Sequence, residues 1–129
     1  MYVLQNLAAL AGRLGLALIF VIEGWIKIRS YSGTVGYMES FGVPSALLPL
    51  VILTELAGGL LVAVGLFTRW AAVALAGFCF LTAYFFHRDL GDTDQFIHFM
   101  KNLAIAGGFL VLAAFGPGDW SADRRLGRR

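Results

Sequence analysis

The sequence predicts an all-α integral membrane protein, built as an antiparallel four-helix bundle with short loops. Three observations predict it. Hydrophobic residues make up 59% of the 129 residues and charged residues only 14%, against roughly a quarter charged in an ordinary soluble domain. The mean hydropathy is +0.77. The apolar residues gather into four runs, each close to the roughly 20 residues that a helix needs to cross the hydrocarbon layer. Backbone N–H and C=O groups in lipid must be satisfied within their own segment, so these runs are helices and not isolated strands. Little chain remains outside them, and residues 1–129 are read as a single membrane domain.

The first span covers about residues 4–27. Met1 to Leu10 carries no Lys or Arg and no clear cleavage site follows, so this run is expected to be an uncleaved helix. Tyr31, Val35, Met38 and Phe41 then fall on one helical stripe, which predicts a short amphipathic piece at the interface. Ser45, after Pro44, opens the second span, 45–66. Gly65-Leu-Phe-Thr-Arg69 leaves room only for a tight turn. The second span therefore forms an antiparallel hairpin with the third, 69–87, for which Thr68 is the expected cap. The fourth span, 97–115, ends at Gly116-Pro-Gly118, because proline cannot continue a helix. Trp120 follows at headgroup depth.

The basic tail, 119–129, holds Arg124, Arg125, Arg128 and Arg129. An even number of spans brings both chain ends to one side, with Arg69. The other side holds Lys27, Arg29 and Arg88, offset by Asp89, Asp92 and Asp94. The positive-inside rule then places both termini in the cytoplasm. The formal charge of +2 and the pI near 9.0 arise mostly from the tail. A basic cluster beside a membrane helix fits topology and lipid headgroups, so the lipid bilayer is an expected partner and nucleic acid is not.

Composition excludes several chemistries. Cys79 is the single cysteine, so dithiol–disulfide exchange within one chain is excluded, and the residue reads as a small buried apolar group. His87 and His98 belong to no His-x-x-x-His or Cys/His set, and no metal is expected. Gly116-Pro-Gly118 lacks the Gly-Lys-Ser/Thr ending of a phosphate loop. Phe78, Phe80, Phe85 and Phe86 read as packed or lipid-facing before they read as a quinone slot.

Ionisable residues inside the apolar runs are the pointers to function, because a charge at that depth costs several kcal/mol unless it is paired, protonated or hydrated. Counting the rise from the span starts puts Arg13 and Glu55 near the midplane, within roughly 5 Å of each other along the normal, and an ion pair between them is expected. That pair reads either as a register-fixing contact or as a site for a ligand head group or a proton. Glu23 and Lys101 fall within roughly 3 Å of one depth, nearer the other surface. Lys27, Tyr84, His87 and His98 lie around them, and Glu23 can reach Lys27 at i,i+4. Snorkelling alone also accounts for Lys27. Convergence of these faces would line a polar recess. Gly24, Gly58, Gly59 and Gly65 read as packing glycines.

Several of these residues also carry a resemblance. Arg13, Phe20, Gly24 and Lys27 on the first span, Glu55-Leu-Ala-Gly-Gly59, Gly65-Leu-Phe-Thr-Arg69, Lys101-Asn102 and Gly116-Pro-Gly-Asp-Trp-Ser-Ala-Asp123 resemble, in order, the signatures of the DoxX family. Tyr37-Met-Glu-Ser-Phe-Gly-Val-Pro44 and Phe99-Met-Lys-Asn-Leu103 are similar to its small bacterial inner-membrane members. The resemblance implies a four-helix protein of the bacterial inner membrane. Relatives are linked to quinone-dependent thiosulfate oxidation, to quinone resistance and to complexes that couple thiol redox balance to oxidative stress. It therefore implies a quinone-like ligand, a redox partner protein or a homo-oligomer. Under that reading Arg13, Glu23, Lys27, Glu55, Tyr84, His98, Lys101 and Asn102 form the ligand-binding polar interior. Arg13 and Lys101 would donate to ligand oxygens and Glu55 or Glu23 would relay a proton. Two other readings stand beside it: a small proton-coupled carrier, and a membrane scaffold for soluble enzymes. No residue is assigned a catalytic role.

Overall fold

The computed structural model describes residues 2–128; Met1 and Arg129, including the tail arginine expected at 129, lie outside the described residues. The described chain is helical, with no strand among its residues. Helix α1 spans Tyr2–Arg29, α2 Tyr31–Ser40, α3 Leu48–Val64, α4 Thr68–Phe86, α5 Thr93–Phe115 and α6 Ala122–Arg125; a single 3-10 turn, Ser45–Leu47, leads into α3. Four segments are long and apolar enough to cross a membrane: Tyr2–Arg29, Ser45–Val64, Thr68–Phe86 and Thr93–Phe115. At 28 residues α1 is about 42 Å long, more than the hydrocarbon thickness of roughly 30 Å.

Local sequence sets the ends. Gly65 closes α3 at φ 75°, a left-handed conformation that a Cβ would strain, and its N–H donates back to Leu61 and Val62. The fourth span starts earlier than its hydropathy suggests. Asp92 caps α5 by accepting from the Asp94 and Gln95 N–H groups at 2.9 and 3.2 Å, so the first polar turn is already helical. Pro44 and the left-handed Gly42 turn the chain from α2 into α3.

Helix α1 packs along α3, and α4 along α5; α3 and α4 join the two pairs, whereas α1 and α5 meet sparsely. Close approach depends on two glycines. A Cβ on Gly24 would lie 2.6 Å from Leu56 Cγ, and one on Gly59 would lie 3.3 Å from the Ala17 carbonyl oxygen. These contacts fix the register of α1 against α3. The apolar core runs through Ala17, Phe20, Val62, Leu75, Cys79 and Phe109. Phe20 meets Phe78 and Phe109 edge-to-face at 6.2 and 5.4 Å. Above that layer the bundle is hollow.

Candidate functional site: a cavity over Glu55 and a latch at the other end

A cavity of about 540 Å³ occupies the half of the bundle away from the chain ends. It draws on the C-terminal halves of α1 and α4, the N-terminal halves of α3 and α5, and one face of α2. Phe20 and Phe78 line its floor. Helix α2 lies over its mouth, held to the end of α4 by Tyr37 stacked on Phe86 at 5.4 Å and Phe41 edge-on to Phe86 at 5.3 Å. His87 stacks on His98 with ring centroids 5.0 Å apart, and His87 Nδ1 lies 3.2 Å from Gln95 Oε1. Burial pushes the His87 imidazole below its usual range, with His98 adding to the effect and Gln95 opposing it.

Glu55 is the buried charge of this cavity, 2% exposed. Lys27 Nζ lies 2.8 Å from Glu55 Oε1 and 3.2 Å from Glu23 Oε2. The Lys27–Glu55 contact is an ion pair without hydrogen-bond alignment, so Oε1 keeps an unused acceptor direction. Two carboxylates share one ammonium, and the recess offers more acceptors than cations. Asn102, His98 and Ile105 line the cavity from α5. They stand at i, i+4 and i+7, one helical face.

The expected Arg13–Glu55 pair does not form. Arg13, 3% exposed, lies a full helix half away from Glu55, at the level of the α3–α4 turn. Its guanidinium donates to the carbonyl oxygens of Pro117 at 2.7 Å, Trp120 at 2.9 Å and Ala63 at 3.2 Å. A rise counted from the start of each apolar run misses the offset between α1 and α3. Register runs instead through Gly24–Leu56 and Gly59–Ala17, which sets Glu23 and Lys27 beside Glu55. Lys101 and Tyr84 also lie outside the cavity. Both are exposed, Lys101 without an ion-pair partner among the described residues and Tyr84 beneath the Arg88 guanidinium at 4.9 Å. Lys101 does not join His98 and Asn102 in lining the cavity from α5. Gly58 packs on Leu75, and Gly65 on Ser121 and the Arg13 guanidinium.

At the end that carries the chain termini, the tail folds back as a latch. Phe67 adopts a left-handed backbone, φ 48°, unusual for a non-glycine, at a cost of roughly 1–2 kcal/mol. Asp123, 6% exposed, accepts from the Phe67 and Thr68 N–H groups at 2.8 and 2.9 Å. The Arg128 guanidinium covers the Phe67 ring at 4.0 Å. Asp123, and not Thr68, therefore caps α4; the Thr68 hydroxyl is buried without a hydrogen-bond partner. Asn6 ties the start of α1 to the Asp119 N–H at 3.0 Å. Arg69 donates to the carbonyl oxygens of Ala113 and Ala114 at the end of α5, at 2.9 and 2.6 Å.

Burial would raise the Asp123 carboxyl, but the N–H donors of Thr68 and Phe67 and the charge of Arg128 hold it below the usual carboxylate range. The stability this adds is present above the unfolded value near 4 and is lost as pH falls below it. Asp123→Asn is expected to cost about 1–2 kcal/mol at pH 7, because one of the two oxygens that accept from the Phe67 and Thr68 N–H groups becomes an amide NH2 that cannot accept. The deficit should vanish in acid, where the native carboxyl is also neutral. Thermal unfolding at a series of pH values checks this, and a deficit independent of pH would contradict it.

The fold and site define a class: a four-span helical membrane protein with a polar cavity in one half and an arginine-and-aspartate latch in the other. Residues 8–88 match the DoxX family model, and the chain belongs to the DoxX family. It is 46% identical over 126 residues to inner membrane protein YqjF of Escherichia coli (strain K12), covering 98% of this chain and 97% of that protein. It is 41% identical over 123 residues to inner membrane protein YphA of the same organism, covering 90% and 88%. A shorter match, 37% over 59 residues and 46% of this chain, joins it to CatD of Bacillus subtilis (strain 168), a candidate oxidoreductase by its name. No solved structure matches. The four apolar helices fit a multi-pass inner membrane protein, as the names of the first two relatives describe them.

Proposed function

We propose that this DoxX protein is a small-molecule-binding subunit of a redox- or oxidative-stress-linked complex in the bacterial inner membrane, with both termini cytoplasmic and a quinone-like ligand in the Glu55 cavity. The observation that carries the reading is Glu55 itself. It is a fully buried carboxylate at the edge of a ligand-sized cavity, with one oxygen not aligned to any donor among the described residues. Lys27 supplies the cationic donor, in the place first expected of Arg13 and Lys101. Glu23, His98 and Asn102 complete the polar lining. The oxidoreductase name of CatD agrees with a redox setting.

The excess of carboxylate favours a ligand that gives a hydrogen bond, so the reduced hydroxyl form binds more tightly than the oxidised carbonyl form. A substituted benzoquinol, titrated against detergent-purified protein by fluorescence quenching, is expected to bind more tightly than its quinone. Glu55→Gln, which keeps the shape and removes the charge, is expected to weaken it about tenfold to a hundredfold, the worth of a hydrogen bond to a charged group. Affinity unchanged in both Glu55→Gln and Lys27→Met would remove the assignment.

A further inference from the structure

A second cavity, about 500 Å³, lies on the outer flank of the bundle between α3, α4 and the Gly42–Pro44 turn. Its character is unlike that of the first. Among its described lining residues the polar side chains are Thr54 and Thr82. Both hydroxyls are already used, Thr54 donating to the Leu50 carbonyl and Thr82 to the Phe78 carbonyl, each at 2.8 Å. The groove thus offers a guest no free side-chain donor. Residues of the membrane-crossing segments line it, so it faces the acyl layer rather than water.

The two cavities share a wall. Met38, Val51, Phe78 and Thr82 line both. Side chains common to both linings therefore form the partition between the polar recess and the apolar groove. Helix α2 and its aromatic clasp lie over the water-side mouth, whereas the flank wall consists of side chains that can change rotamer. An acceptor-rich recess thus adjoins, across that partition, a trough that suits hydrocarbon.

We infer that the ligand is a membrane amphiphile: a ring bearing hydroxyl groups in the Glu55 cavity, with an alkyl or prenyl tail laid in the flank groove, entering sideways from the bilayer past Met38 and Phe78. This rests on the binding reading above and adds the class of ligand and its route. A freely water-soluble ligand would leave the groove to ordinary lipid.

Gly77 gives a clean test. It lines the groove, its backbone is helical, and a Cβ built on it meets nothing within 4 Å. The first atom of a side chain at 77 therefore enters open space, so Gly77→Leu places its bulk toward the trough, and leucine is the better helix former. Ala74→Leu, one turn earlier and also in the groove, is the second variant. The probes are a decyl-substituted benzoquinol and its methyl counterpart, titrated into detergent-purified full-length protein. The decyl probe is expected to bind the native protein more tightly than the methyl probe. Either groove variant should cut that advantage about tenfold, equivalent to losing the burial of roughly two methylenes. The methyl probe should bind both variants as it binds the native chain. Because native and variant proteins are compared with the same probes in one detergent, partitioning into micelles cancels from the change in the ratio. Binding of both probes with an unchanged ratio in both variants overturns the tail groove and leaves the Glu55 cavity standing. Binding of neither probe to the native protein overturns both.

Discussion

Arg13→Ala is expected to destabilise the protein by about 3–5 kcal/mol, the sum of several buried acceptors left without donors at roughly 1–3 kcal/mol each. The guanidinium serves carbonyls from three separated places: the end of α3, the Pro117 turn and Trp120. None has another side-chain donor among the described hydrogen bonds, and water has little access beside a residue 3% exposed. Arg13→Lys should recover little, because a compact ammonium cannot span the fork of a guanidinium. Thermal unfolding in detergent reads the loss. Trypsin cleavage at Arg124 or Arg125 should accelerate in parallel, since the tail would no longer be held. Loss of under about 1 kcal/mol would show that the contacts are incidental. Because Arg13 lies outside the cavity, benzoquinol affinity of the folded fraction should not change.

Lys27→Met is expected to cost about 3 kcal/mol, toward the lower end for breaking a buried pair because Lys27 is partly exposed. The variant leaves Glu55 facing Glu23 with no cation between them. Adding Glu55→Gln removes the stranded charge. The double variant should therefore be more stable than Lys27→Met alone, with a coupling of about 1–2 kcal/mol in a double-mutant cycle. Additive losses would mean that Lys27 and Glu55 do not sense each other. The two experiments separate the two ends of the bundle: Arg13 affects stability and tail protection, whereas Lys27 affects stability and ligand affinity together.

The helices were plain from the sequence, since apolar runs of spanning length and the Gly65 and Gly116 stops are local signals. The amphipathic stripe of Tyr31, Val35, Met38 and Phe41 pointed to the segment that forms α2. Partner choice among the charges was not legible. Arg13 and Glu55 looked level only while both spans were counted from their apparent starts. The offset is set by Gly24 on Leu56 and Gly59 on Ala17, which no one-dimensional count contains. Lys101 failed for a different reason: depth alone does not give the direction in which a residue leaves its helix. The i, i+4, i+7 stripe of His98, Asn102 and Ile105 held that information. Asp123 lay in the quoted Gly116–Asp123 signature, but its role needs a chain reversal that brings it to Phe67. Charge counting had treated the tail as a topological label, whereas three of its described residues, Ser121, Asp123 and Arg128, are part of the fold.

That chain reversal sets an order on biogenesis. Residues 117–123 leave the ribosome after all four spans, yet they supply acceptors for Arg13 and the cap for α4. During synthesis the inserted helices therefore wait with a cation answered only by the Ala63 carbonyl, and with a strained turn, until that stretch folds back. An incompletely translated chain would present that unfinished face to membrane proteases, while a finished one conceals it.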